Sequence, residues 1–205
     1  MIARWLAFHS LLNEKKTLKE KENFVKECEK KVDRHKAKLL DSYHFIENHV
    51  CKENSGFDFL YSPLVLTEVF NVLFEKYVYD YMQRSYIPLG DIHVVRGEKF
   101  PDGTYNEIYT YNEQNYNKLK RFTKVAQDKE DLIKVSGVFI SEYGLLSQDA
   151  HIIAEAINAD CKYFITNDDR ILENLKNAKQ IKVMRPSSFS SHFSKIKTPQ
   201  LNSAR

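Results

Sequence analysis

Three carboxylates in this chain of 205 residues sit where packing alone gives no reason for an acid: Glu68, Asp149 and Asp168. Segments 62–73 and 145–157 both repeat apolar residues three and four positions apart, the period of a helix. On those helices Glu68 shares a face with Leu64, Val65 and Val72, and Asp149 with Leu145, Leu146, Ile152 and Ile153. An unpaired carboxylate in an apolar stripe is costly, so each needs a cation, a hydrogen-bond partner or a metal. Asp168 follows the apolar run Tyr163-Phe164-Ile165-Thr166, where a strand hands over to a loop. Carboxylates gathered from helix faces and strand ends are hard oxygen ligands and can build a divalent-metal site. Taken singly, each acid reads equally well as a boundary residue paired with Lys or Arg. Asp168 is also placed to cap a helix over 170–175.

The surrounding elements decide whether the three acids meet. Residues 57–61 read as a strand, and Ser62 with Pro63 makes a strong helix start, serine as N-cap and proline at the first position. That helix runs to Tyr79 or beyond, until Pro88-Leu89-Gly90 breaks it. Two β-prone runs, 92–96 and 107–111, flank the turn Pro101-Asp102-Gly103 and predict an inserted hairpin over 90–112, with Tyr105, Tyr109 and Tyr111 on its pleated face. Helices are expected over 115–127 and 133–142, and 163–166 is a continuously apolar strand of the buried, parallel kind. Strands separated by helices predict an α/β fold with a mainly parallel sheet.

Upstream, Trp5, Leu6, Phe8, Leu11 and Leu12 predict a core-facing first helix. Residues 13–53 form a charged helical extension, in which Val25, Cys28, Val32, His35 and Leu39 begin an apolar stripe that predicts one long helix over 23–49. Its mixed Lys and Glu content reads as a solvated face. The polar tail 191–205 is expected to be disordered.

Three segments together resemble the acidic motifs of the PIN-domain ribonucleases. Residues 62–73 resemble the strand-to-helix motif with its acid at Glu68. Asp149-Ala150-His151-Ile152-Ile153-Ala154 resembles the central Asp motif, and Thr166-Asn167-Asp168 the late Thr-x-Asp motif, followed by a strand-like 181–184 and Pro186. The resemblance implies a single PIN-like domain over 1–190 with a three-layer fold around a central, mainly parallel sheet. It implies a metal-dependent endoribonuclease, toxin-like or RNA-processing, with Glu68, Asp149 and Asp168 holding Mg²⁺ or Mn²⁺. Thr166, Asn167 and Ser62 would orient these ligands or meet the substrate. The partners implied are RNA, a protein inhibitor or antitoxin, and a second copy in a homodimer. The family's sheet is centred on an opening strand that ends in a fourth acid. Here the chain begins on what resembles the following helix, which implies a start downstream of that strand; the alternative is a degenerate, non-catalytic RNA-binding or protein-interaction module.

Composition narrows the classes further. With 31 Lys and Arg against 28 Asp and Glu, the chain is mildly basic, compatible with a phosphate-rich partner without requiring one. Cys28, Cys51 and Cys161 are widely spaced, which suggests neither a disulfide framework nor a zinc site and reads as reduced cytoplasmic thiols. No apolar run reaches membrane-spanning length, and residues 1–12 lack the features of a signal peptide. Gly-rich phosphate loops, His-Glu-x-x-His and the Gly-x-Ser-x-Gly elbow are all absent.

Overall fold

The computed structural model describes residues 2–30, 33–53, 55–97, 104–126 and 131–193. The chain opens with α1 (Ile2–Asn13), α2 (Leu18–Glu29) and α3 (Arg34–Phe45), the last continued by one wide π turn over Ile46–Val50. A capping box of Thr17 and Glu20 starts α2: the Thr17 hydroxyl accepts from Glu20 N while the Glu20 carboxylate accepts from Thr17 N. Asp33 starts α3, accepting from His35 N at 2.9 Å and Lys36 N at 3.1 Å. That cap breaks the single long helix expected over 23–49 into two. The break lets α2 fold back, so that Phe24 and Cys28 pack with Phe8, Leu39 and Leu40.

Strand β1 (Phe59–Tyr61) leads through Ser62 into α4 (Pro63–Arg84), and Ser62 Oγ accepts from Leu64 N at 3.0 Å. A short 3₁₀ turn over Leu89–Asp91 then gives way to α5 (Ile92–Gly97) and α6 (Thr104–Lys120). These two helices replace the hairpin expected over 90–112. Val95 of α5 packs against Val78 and Met82 of α4, a helical contact that overrides the β-propensity of the run 92–96. Tyr109 and Tyr111 lie on α6; the side chains of Arg96 and Tyr105, and residues 98–103, fall outside the described set. The helix expected over 115–127 ends early, and Thr123–Val125 forms β2 instead.

The remainder follows the expected order through the last strand: α7 (Leu132–Tyr143), α8 (Ser147–Asn158), β3 (Tyr163–Ile165), α9 (Asp169–Asn174) and β4 (Lys182–Met184), after which Pro186 opens an unexpected helix, α10 (Pro186–Phe193). Ser191–Phe193 thus belong to a helix rather than to the tail, and 194–205 lie outside the described residues. Gly144 ends α7 at φ +61°, the left-handed cap in which its N–H bonds back to Ile140 O, and this tight corner packs α7 on α8.

All four strands run parallel to their partners, in a mixed and mostly helical α/β chain. They form two separate pairs. Phe59, Leu60 and Tyr61 of β1 register with Thr123, Lys124 and Val125, while Tyr163, Phe164 and Ile165 of β3 register with Lys182, Val183 and Met184. Among the described residues no ladder joins β1 to β3, so the single central sheet expected from the sequence is split. One core spans both pairs: Leu6, Phe45, Ile46, Val69, Leu119 and Phe189 cluster with Met184 of β4, and Phe59 of β1 and Tyr163 and Ile165 of β3 pack against them. A second, of Phe139, Leu145, Ile153, Ile171 and Leu175, lies beside β3 and β4. At about 1.5–3 kcal/mol per fully buried large apolar side chain, these two clusters hold most of the fold.

Candidate active site

The split between the strand pairs is a cleft of about 960 Å³, and the candidate acids lie on its wall. Glu68 projects from the second turn of α4, which β1 and the Ser62 cap aim across the cleft. Asp149 sits in the first turn of α8. Gln148, its neighbour in sequence, faces the Glu68 carboxylate and partly offsets the rise at that acid. Asp168 follows β3, with the Thr166 hydroxyl accepting from Asp168 N at 3.1 Å.

Two of the acids are shifted by their surroundings. Partial burial raises the Glu68 carboxyl above its ordinary value, and the Asp149 charge adds to the rise. Asp149 is raised in turn, first by burial and then by Asp168, with Arg170 opposing. A cation entering this wall would relieve repulsion and displace protons.

Ser62, Thr166 and Asn167 act on the scaffold. Ser62 is 5% exposed and caps α4. Thr166 fixes the backbone at Asp168. Asn167 is 1% exposed, and its Nδ2 donates to Ser42 Oγ at 3.0 Å and to Lys38 O at 3.3 Å. Its amide faces α3, so contact with a substrate phosphate is replaced by anchorage of the loop that presents Asp168. Asp168 itself caps α9, with Oδ1 accepting from Arg170 N at 2.9 Å and Ile171 N at 3.3 Å. The capping reading and the cleft-wall reading of this residue both hold. Asp169 is committed elsewhere: Arg34, Lys38 and Arg185 converge on its carboxylate, at 2.8 Å and 2.7 Å for the first two, and hold it well below the usual carboxylate range.

The three acids fit Mg²⁺ or Mn²⁺ in donor type, in shared location and in mutual repulsion. They fall short in closeness. Among the described residues no three His, Cys, Asp or Glu side chains gather tightly enough to hold a metal ion.

One residue of the cleft escaped sequence reasoning. Glu155 on α8 is 5% exposed and lines the cleft, and its Oε2 has no hydrogen-bond partner. His151 Nε2 lies 3.8 Å from its Oε1. The signal was present in Ile153-Ala154-Glu155-Ala156-Ile157, an acid flanked by apolar residues on both sides.

No described helix is long and apolar enough to cross a membrane. No family model matches the chain, and no curated protein or solved structure matches it.

Proposed function

We propose that this chain is a PIN-like, metal-dependent endoribonuclease domain whose acidic wall is Glu68, Asp149 and Asp168. The observation that carries this reading is that three acids from distant segments line one cleft, where the Asp149 charge adds to the rise at Glu68 and the Asp168 charge to the rise at Asp149. Structural ion pairs do the reverse, setting each acid beside a base, as at Asp169. When bound, Mg²⁺ or Mn²⁺ supplies charge neutralisation and polarisation of a phosphoryl oxygen. The chain's own residues supply placement. Ser62 fixes the start of the helix carrying Glu68, while Thr166 and Asn167 fix the loop carrying Asp168. Glu68, Asp149 and Asp168 are the residues that would hold the cation, and as placed they stand too far apart for joint ligation.

A second reading, a non-catalytic RNA-binding or protein-interaction module, is favoured by that same separation. One assay separates the two: cleavage of a labelled single-stranded RNA with Mn²⁺ by the purified chain, by Asp149→Asn and with EDTA. The nuclease reading expects cleavage in the first case alone. Binding of the RNA by a folded chain that never cleaves it would overturn the nuclease reading in favour of the module.

A further inference from the structure

Glu155 is the acid in this cleft that the acidic wall does not use. It is 5% exposed, and its Oε2 is buried without a hydrogen-bond partner. At 3.8 Å, His151 Nε2 stands beyond hydrogen-bond reach of Oε1. A buried carboxyl needs donors, and among the described residues none meets Oε2. A molecule entering the cleft can bring them.

The position of Glu155 on α8 says how such a molecule would lie. Asp149, Ile152, Glu155, Ala156 and Ala159 recur three and four positions apart along one helical stripe, and all of them line the cleft. Glu155 lies about 9 Å of helix rise beyond Asp149. Beside it, Ala156 and Ala159 each add only a methyl group to the wall, which leaves room for a flat ligand. From the strands, Phe59, Tyr163 and Phe164 line the same cleft, and none of the three is fully buried.

An unpaired nucleobase suits this set. Its faces stack on aromatic side chains, and its edge carries donors. With its phosphate at the acidic wall, a nucleotide extends its base along the stripe toward Glu155. The four bases differ in what they offer a carboxylate, which only accepts. Guanine sets two donors side by side, N1–H and N2–H, to match two carboxylate oxygens. Adenine and cytosine set one amine beside a ring nitrogen whose lone pair would face the second oxygen. Uracil holds its single N3–H between two carbonyls, which face the carboxylate in the same unfavourable way.

We propose that the cleft beyond the acidic wall is a recognition site for guanine in single-stranded RNA, with Glu155 as the specificity-determining residue. Glu155 accepts from guanine N1–H and N2–H while the ring stacks on the aromatic side chains of the strands. The inference rests on RNA as the ligand of this cleft, and it holds whether or not that RNA is cleaved.

The test is binding of three short, end-labelled oligouridines that carry guanosine, inosine or adenosine at the centre. Affinities are read by fluorescence anisotropy with the full chain in EDTA, so that no strand is cut. Inosine is guanosine without the N2 amine and isolates one of the two hydrogen bonds without altering the protein. Guanosine is expected to bind roughly fivefold tighter than inosine and roughly tenfold tighter than adenosine. Glu155→Gln keeps the size of the side chain but sets an amide donor against the donors of guanine. It is expected to erase the guanosine preference while binding the adenosine strand at least as tightly as the native chain does. Equal affinities for the three strands would overturn the guanine site and leave RNA as the ligand. A guanosine preference that survives in Glu155→Gln would overturn the role given to Glu155. Binding of no strand at all would overturn the guanine site together with the RNA reading beneath it.

Discussion

Replacing Asn167 tests how the candidate site is held. Asn167→Ala removes two hydrogen bonds from Nδ2, to Ser42 Oγ at 3.0 Å and to Lys38 O at 3.3 Å. Ser42 Oγ still donates to Lys38 O at 3.0 Å, so neither partner is orphaned. At about 1 kcal/mol per bond the loss is about 2 kcal/mol, and deleting the unpartnered Oδ1 returns part of it. The net expectation is a loss of about 1.5 kcal/mol, or roughly 3–6 °C in melting temperature for a chain of this size. Asn167→Asp is expected to be far worse. It sets a second carboxylate against the Lys38 carbonyl and beside Asp41, whose carboxyl burial already pushes up, at a position 1% exposed. A cost of about 3–5 kcal/mol follows for an uncompensated buried charge. Urea unfolding followed by far-UV circular dichroism measures both variants. Equal losses, or a harmless Asp, would refute the inward-facing amide and with it the anchorage of the Asp168 loop.

Two further outcomes concern pH. Because the folded chain raises Asp149, its ionised form opposes folding above its folded value, and that opposition fades as the pH falls and the carboxyl protonates. Without divalent metal, Asp149→Asn should therefore gain a few tenths to about 1 kcal/mol at pH 7, a gain that disappears by about pH 4 in thermal melts. His49 behaves oppositely. Burial, with ring centroids 5.6 Å from both Phe45 and Phe189, lowers its value, and Nε2 lies 2.8 Å from Ser190 Oγ. The unfolded chain then takes the proton first, so stability drops as the pH falls below about 6.5. In melts from pH 7.5 to 5.5, His49→Gln should flatten that drop; an unchanged slope would locate it elsewhere.

Much of the site was legible because its signals are local and redundant. Ser62 and Pro63 mark the start of α4 by cap chemistry as well as by period, and the apolar run before Thr166 reads as a strand whatever its neighbours do. What stayed hidden was set by distant contacts or by weak signals. The run 92–96 suits a strand or a helix, and the packing of Val95 on Val78 and Met82 decides the matter. Asp33 announced the break in the long helix, but a continuous apolar stripe outweighed a single capping residue. The three residues of β2 follow a strong helix and take their identity from pairing with β1, more than sixty positions away. Glu155 sits between apolar neighbours on α8, and only the assembled cleft gives its face a burial that sequence spacing does not.

The separation of the two strand pairs also governs how the molecule is made and unmade. Strand β3 reaches β4 through the single short helix α9, and residues 131–184 carry a core of their own. The other core draws on Leu6 at one end of the chain and Phe189 at the other, and β1 must wait for three helices before β2 arrives. Closing distant contacts is the slow part of folding. The half bearing Asp149 and Asp168 is thus expected to form before the half bearing Glu68 joins it, an order that pulsed hydrogen exchange during refolding measures. In that order the acidic wall comes last, and a chain caught partway through folding carries two of its acids and none of its cleft.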